Sequence, residues 1–518
     1  MNEIQLINFS ENNNEYYSIP TIISFLENKK EIKIGKEAEK DLLTNPSQTI
    51  FNIVKYFGKK MKDIKLQNEL IPFKLYSANN ENDKPFIKIN HGPQKDKIIY
   101  MEHILSIYLQ KIFEIFIKRI IFDKINKNTN IQIILVIAVP NHFNFYQRKL
   151  LQEIFKQEVI PKINNEQNNN LIKINFVIEK IEIKNSASIA SISLTREDNN
   201  NVLIFNIDRN CSNISLVSIN KEIIKIKAST GLEKGENDIM NDFMLYILKN
   251  RLNEEIKNDI LNSSFAFNKF RILCNKIKND LLNNENTSFN LKQILTECNS
   301  MISVNKNEYE NCLYNFIYDL KQELKKIIEN KNLFVDNSTV NKIIYIGKIF
   351  EDEKIKTNIE QLLKEKNILF EEIIFNEDLN KEYITVGGAS YYAMNIINNS
   401  KYSFQDISNF NLGIKAYNDT LFYLIKKGDI IPIKSKSQIK LKKNSEMELY
   451  EENSINKNKT LIGKFNIDNI TNYIENKLNY NEITVEYEID EELNIKLRLF
   501  NGKNFSKELK YNLYIYNS

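Results

Sequence analysis

Residues 202–219 run Val-Leu-Ile-Phe-Asn-Ile-Asp-Arg-Asn-Cys-Ser-Asn-Ile-Ser-Leu-Val-Ser-Ile, and they constrain the fold more than any other stretch. An apolar run, a short polar turn and a second apolar run predict a buried strand hairpin. A hairpin of this kind binds phosphate when its turn is glycine, because only glycine lets backbone N–H groups close on a phosphate with no Cβ in the way. Here the turn holds Asp208, Arg209 and Asn210. The frame of a nucleotide site is present, and its chemistry reads as removed. Glycine is scarce throughout, at 12 of 518 residues, against a usual share of about 7%.

A chain of 518 residues predicts two or three domains. Apolar residues supply 42% and charged residues 27%, which allows a large core and argues against disorder. The net charge is +4 with Lys and Glu mixed along the chain, so charge makes no specific case for nucleic acid. Cys211, Cys274, Cys298 and Cys312 lack C-x-x-C spacing. With only three scattered histidines, they predict no metal site and a reducing compartment. The first residues lack a basic region followed by an apolar run, and apolar stretches such as 131–140 are too short to span a bilayer. A soluble cytoplasmic protein without membrane contact is expected.

Apolar runs at 21–25, 131–139, 172–178, 202–207, 214–219 and 342–346 predict strands. Amphipathic segments at 101–122, 145–158, 237–250, 265–282, 309–330 and 353–366 predict helices. Their alternation predicts an α/β domain over 1–402. Residues 403–411, Ser-Phe-Gln-Asp-Ile-Ser-Asn-Phe-Asn, read as a short polar linker. From 412 to 518, seven short strands separated by turns such as Lys427-Gly428-Asp429 predict a β-sandwich.

Several stretches match one set of motifs in order. Ser18-Ile-Pro-Thr-Ile-Ile-Ser-Phe25 is similar to T-P-S-x-V-x-F, and Asn45-Pro-Ser-Gln-Thr-Ile-Phe51 to N-P-x-N-T-V-F. Ala138-Val-Pro-Asn-His-Phe-Asn-Phe-Tyr-Gln-Arg148 is similar to T-V-P-A-Y-F-N-D-x-Q-R, the most specific match. Residues 202–215 correspond to V-L-I-F-D-L-G-G-G-T-F-D-V-S. Further on, 424–432, 461–465 and 483–490 resemble L-I-x-R-N-T-T-I-P, L-L-G-K-F and I-x-V-T-F-x-I-D. By these motifs the chain resembles the heat shock protein 70 (DnaK-like) chaperone family over nearly its whole length. The resemblance implies an actin-like, two-lobed ATPase-type α/β domain followed by a β-sandwich of substrate-binding type. It also implies ATP or ADP with Mg²⁺ as ligands, and J-domain co-chaperones and unfolded or extended peptides as partners.

The departures shape the expected function. Family members open with a strand and a D-L-G-T-T loop, whereas residues 4–9 here already fit the third strand. In the second phosphate loop the acidic residue becomes Asn206, and the triple glycine becomes Asp208-Arg209-Asn210. A carboxylate at Asp208 repels phosphate. The family's catalytic Lys aligns with Val54, one residue before Lys55, and the Glu of its N-E-P-T segment aligns with Lys184. No catalytic residue is therefore assigned. Asn206, Asp208, Gly231, Lys278 and Gly347 remain as a degenerate nucleotide-contact set. Gly347 equally suits a plain strand-to-helix turn, and His142 reads as a surface or packing residue. Arg209 is expected to pair with a neighbouring carboxylate and tie the lobes together.

In the β domain, Tyr417, Met447 and Leu449 take positions of the peptide slot, while an aromatic floor position becomes Lys440. The basic stretch 436–443 reads as a solvated face or a contact for ribosomal RNA. No helical segment follows, so the family's helical lid is expected to be absent. These features together resemble the atypical ribosome-associated members that pair with a zuotin-type J-domain protein. The expectation is a chaperone or co-chaperone with weak or no ATP hydrolysis, acting at the ribosome and nascent chain. The alternative is an ATP-hydrolysing chaperone with an N-terminally truncated gene model.

Overall fold

The computed structural model describes residues 6, 7, 9 and 17–513, apart from 27–30, 65–69, 79–82, 92–93, 122–128, 169–173, 194–199, 221–222, 331–332, 334–339, 376–382, 399–402, 443–445, 454–456, 467–479, 502–503 and 511. A first lobe gathers around an apolar cluster that includes Ile23, Phe25, Tyr56, Phe57, Ile104 and Ile181. It contains the antiparallel strands Ile32–Ile34, Ile22–Phe25 and Thr49–Phe51, and the helix Met101–Phe116. A parallel pair, Thr129–Val139 and Ile174–Asn185, completes its framework. The expected helix over 145–158 starts where predicted. Asn144 and Gln147 close a capping box, and the helix Phe145–Glu153 follows. It then widens into a π turn at Ile154–Val159 before Ile160–Asn168, because Pro161 has no N–H to donate backwards and its ring crowds the preceding turn.

The second lobe is built on a seven-stranded sheet. Its order is Phe370–Phe375, Val340–Ile346, Asn200–Ile207, Ser212–Ile219, Ile223–Leu232, Ser403–Ile407 and Ile430–Ile431. The hairpin of residues 202–219 lies at its centre. Leu203, Phe205 and Ile207 face a cluster with the helices Glu236–Asn250, Ser264–Asn283, Tyr314–Ile328 and Glu353–Glu365. Val202 and Ile204 face the helix Ile384–Ile397 on the other side. A strand buried on both faces carries a continuous apolar run, which is why it was legible.

Ile223–Leu232 was not anticipated, because Lys225 and Lys227 interrupt its apolar pattern. The stretch read as a linker is also different. Ser403–Ile407 is a strand, parallel to Ile223–Leu232 with Ile224 opposite Phe404, and antiparallel to Ile430–Ile431. The expected helix over 309–330 is two helices, Lys306–Cys312 and Tyr314–Ile328.

Beyond it, a five-stranded and a four-stranded antiparallel sheet share one apolar cluster around Leu412, Leu449, Val485 and Leu497. The last expected strand is described only to Leu513, and 514–516 lie outside the described residues. On the outer face of Ile433–Lys442, Lys434, Lys436 and Lys440 are exposed. Lys434 stands opposite Glu488 and Lys436 opposite Glu486 in the neighbouring strand. Glu486 lies 3.8 Å from Lys434 and 3.7 Å from Arg498, so the basic stretch belongs to a mixed-charge surface.

This C-terminal unit docks on the first lobe. Phe145 is fully buried in its cluster, with its ring 5.4 Å from that of Phe410. The Glu451 carboxylate accepts the N–H groups of Phe145 at 2.7 Å and Tyr146 at 3.4 Å, at the start of the helix. Lys149 donates to Asn494 Oδ1 at 2.9 Å, and Gln152 to the Glu492 carbonyl at 2.9 Å. Among the described residues no helix is long and apolar enough to cross a membrane.

Candidate functional site

The turn after Asn200–Ile207 meets the N-terminus of the helix Glu236–Asn250. Asp208 N–H donates to the Cys211 carbonyl at 2.9 Å. The Asp208 carbonyl accepts Glu236 N–H at 3.2 Å, and the Arg209 carbonyl accepts Asn237 N–H at 2.8 Å. The first N–H groups of a helix lack partners inside it and are the usual donors to a bound phosphate. Two of them are spent on the turn itself. A Cβ on Gly235 would lie 2.2 Å from the Asp208 carbonyl oxygen, so turn and helix are in direct backbone contact.

Side chains continue this closure across the cleft. Asn237 Nδ2 donates to Asn210 Oδ1 at 2.9 Å and to Asn52 Oδ1 at 3.0 Å. Lys55 pairs with Asp238 at 2.9 Å, and Lys59 pairs with Glu233. Asn268 Nδ2 donates to the Leu42 carbonyl at 2.5 Å, and the Arg271 guanidinium sits 4.2 Å from the centre of the Phe51 ring. Apart from the Asn237–Asn210 bond, which lies within the second lobe, each contact joins the first lobe to the second. Arg209, the expected tie, is exposed and makes no ion pair among the described residues, because the turn aims it at solvent while its carbonyl faces the helix.

The deep end of the cleft is lined by neutral groups. Asn206 is 3% exposed and donates to Thr385 Oγ1 at 3.2 Å, while its carbonyl accepts Asn213 Nδ2 at 3.2 Å. Asn213 Oδ1 accepts Asn141 N–H at 2.7 Å, and Asn141 Nδ2 reaches Ser229 Oγ at 2.9 Å. Mg²⁺ takes hard, anionic oxygen ligands. Among the described residues no group of three or more His, Cys, Asp or Glu is placed to hold a metal. Both acidic positions of the hairpin motif are amides, Asn206 and Asn213, and these residues do not fit a Mg²⁺–nucleotide. Asn213 was missed in the sequence, although it stands at the second Asp of the same motif.

The other expected contacts have local duties. Lys278 pairs with Glu236. Gly231 lets two backbones approach, since a Cβ there would lie 2.7 Å from His142 N. Gly347 has φ +124°, and a Cβ would lie 2.0 Å from the Ile207 carbonyl oxygen, so it serves the packing of two strand ends. Asp208 is exposed at the turn. His142 is a packed neutral residue, its pKa lowered to about 3 by burial and by Lys59 and Arg148. Lys184 is 3% exposed and 2.9 Å from Glu182, with its ammonium 5.0 Å from the Tyr392 ring and 6.0 Å from that of Phe404 in the Ser403–Ile407 strand. In the C-terminal unit, Met447 and Leu449 lie inside the apolar cluster. Tyr417 is half-buried, its N–H donating to the Lys440 carbonyl at 2.8 Å.

Lys55→Met is expected to lower stability by about 1–2 kcal/mol, between the values for exposed and buried pairs. Urea unfolding with and without Mg²⁺–ATP measures it. A variant as stable as the parent would show that the pair does not hold the lobes.

Two α/β lobes closed on each other, with a pair of antiparallel sheets docked on the first, fit an actin-like, two-lobed ATPase-type fold. The family model described as "Hsp70 protein" matches residues 2–497, and the chain belongs to the Hsp70 family. It is 22% identical over 473 residues to heat shock cognate 70 kDa protein 3 of Dictyostelium discoideum, covering 87% of this chain and 68% of that protein. It is 21% identical over 492 residues to chaperone protein dnaK of Phaeodactylum tricornutum, covering 92% of this chain and 73% of that protein. Heat shock 70 kDa protein 2 of Paracoccidioides lutzii is 21% identical over 470 residues, covering 87% of this chain and 65% of that protein.

Proposed function

We propose that this chain is an Hsp70-type co-chaperone that works without an ATP cycle, its cleft held closed by its own side chains. One observation carries the reading: the N-terminus of Glu236–Asn250, which would receive phosphate, is bonded to the turn Asp208-Arg209. The amides at Asn206 and Asn213 and the Lys55–Asp238 pair support it. In this reading the C-terminal sheets form the β-sandwich of substrate-binding type. The partner is a J-domain co-chaperone, and the place of action is the cytoplasmic ribosome with its nascent chain. Constant closure suits a scaffold, because a surface shown to a partner keeps one shape.

Calorimetric titration with ATP and with ADP, each with Mg²⁺, is expected to show no saturable binding up to about 1 mM ligand, weaker than about 4 kcal/mol. Hydrolysis of ATP is expected to stay at the uncatalysed background. Micromolar binding with hydrolysis stimulated by peptide would overturn the reading in favour of an ATP-driven folding chaperone.

A further inference from the structure

The strands Tyr76–Ser77, Pro85–His91 and Gln94–Tyr100 form a three-stranded antiparallel sheet on the first lobe. Its inner face is apolar, with Ile87, Ile89 and Ile99 in the first-lobe cluster. Successive side chains of a strand point to opposite faces, and an antiparallel sheet with one wet face normally puts polar residues there. The outer face here carries aromatic rings instead. Tyr76 stands opposite Phe86, and Phe86 opposite Tyr100, so one ring from each strand lies in a single row. The Phe86 ring is 5.5 Å from that of Tyr76 at an angle of 16°, and 5.9 Å from that of Tyr100 at 67°. Among the described residues none of the three belongs to an apolar cluster.

Positive charge gathers beside that row. Lys88 lies two residues beyond Phe86, on the same face and opposite Ile98, which is 51% exposed. Lys74 lies two residues before Tyr76. Both lysines are exposed, and the Nζ of each is 5.2 Å from the centre of the Tyr76 ring. Among the described residues neither forms an ion pair, and the negative face of the ring is the counter-charge they have. Lys95 and Lys97 are exposed on the third strand, with Asp96 between them. Asp83 is taken up by the Ser77 hydroxyl and the Lys62 N–H, and Glu102 is buried.

The exposed lysines of Ile433–Lys442 are arranged differently. Lys434, Lys436 and Lys440 stand opposite Glu488, Glu486 and Glu482 across the ladder, which leaves an anion little net attraction. On the Tyr76 face the residue opposite Lys88 is the apolar Ile98. A flexible lysine stem can carry its ammonium from a ring to a phosphate.

We propose that the outer face of this sheet binds a short unpaired stretch of nucleic acid. Bases stack on the half-buried Tyr76 and Tyr100 rings, braced by Phe86 between them, while Lys74 and Lys88 turn to the phosphates. Aromatic rings on a sheet with basic neighbours offer what a single strand needs, a stacking surface for any base and cations along the backbone. An acidic peptide would use the lysines and leave the rings idle. The proposal does not rest on the closed cleft, since it uses none of the residues that join the lobes.

The test is fluorescence anisotropy on the full chain with a labelled oligouridylate of about twelve nucleotides. Saturable binding is expected, weakened about tenfold by Tyr76→Ala. Tyr76→Ile, which keeps a strand-forming apolar side chain and loses only the ring, is expected to weaken it equally, so a misfolded alanine variant does not decide the matter. Lys74→Gln with Lys88→Gln removes two phosphate contacts and is expected to flatten the slope of log K against log salt by about 1.4. An abasic oligomer of the same length and charge binds about tenfold or more weakly. Lys434→Gln, on the mixed-charge surface, leaves binding as it is. No binding at low salt, equal binding of the abasic oligomer, or parental affinity in a folded Tyr76 variant would each overturn the proposal. So would polyglutamate binding as tightly as the oligouridylate, the mark of a site for an acidic peptide.

Discussion

Gly235→Ala is expected to cost about 3 kcal/mol or more of stability and to loosen the contact between the lobes. Gly235 has extended backbone, so alanine is not excluded by conformation. Space excludes it. The new methyl would lie 2.2 Å from the Asp208 oxygen and 2.7 Å from Arg209 C and Cys211 N, all backbone atoms that cannot rotate aside. The helix must then withdraw from the turn, breaking the bonds from Glu236 and Asn237 and pulling Asp238 from Lys55. Urea unfolding and hydrogen exchange at the start of that helix report the change. An alanine variant with parental stability and protection would show that the turn and helix are not in contact.

Acidification from about pH 8 to about pH 6 is expected to tighten docking of the C-terminal unit, and Glu451→Gln to abolish that dependence. Burial pushes the Glu451 carboxyl up from 4.5 to about 7, against the opposing pull of the Phe145 and Tyr146 N–H groups and of Arg148. With its pKa higher in the docked state than in solution, the docked state holds the proton between those two values. Docking is therefore strongest at the acid end, weakens as pH rises through about 7, and is level above it. The full effect is at most about 3 kcal/mol. Lys149 at the same interface is pushed down to about 8 by burial and acts above that pH, where rising pH favours docking. Energy transfer between labels on the first lobe and the C-terminal unit, read below pH 8, separates the two. Docking that loosens on acidification, or a Gln variant with an unchanged profile, would refute the assignment to Glu451.

How much of this was legible follows from what each segment touches. The strand 202–207 declared itself because both faces are buried, so its pattern needs no knowledge of the neighbours. Ser403–Ile407 did not, because it contains Asp406, which reads as solvated. In the fold Asp406 is 6% exposed, and burial pushes its carboxyl above the usual range against the opposing pull of Lys184 and Arg148. The loss of phosphate chemistry at Asp208-Arg209-Asn210 was written in three adjacent residues. Its replacement was not, since Lys55 and Asp238 lie 183 positions apart and neither carries a local signature.

The order of the seven-stranded sheet has a consequence for synthesis. Its central strands are complete by Leu232, but the strands that close one side come from Ser403–Ile407 and Ile430–Ile431. At translation speeds of about 5–20 residues per second, the outer edge of Ile223–Leu232 waits on the order of ten seconds or more for its neighbour. Lys225 and Lys227 lie on that strand. Charges that hid it from sequence-based recognition thus protect an unfinished chain, at a stage when the polypeptide is most exposed to mispairing with others on the same polysome.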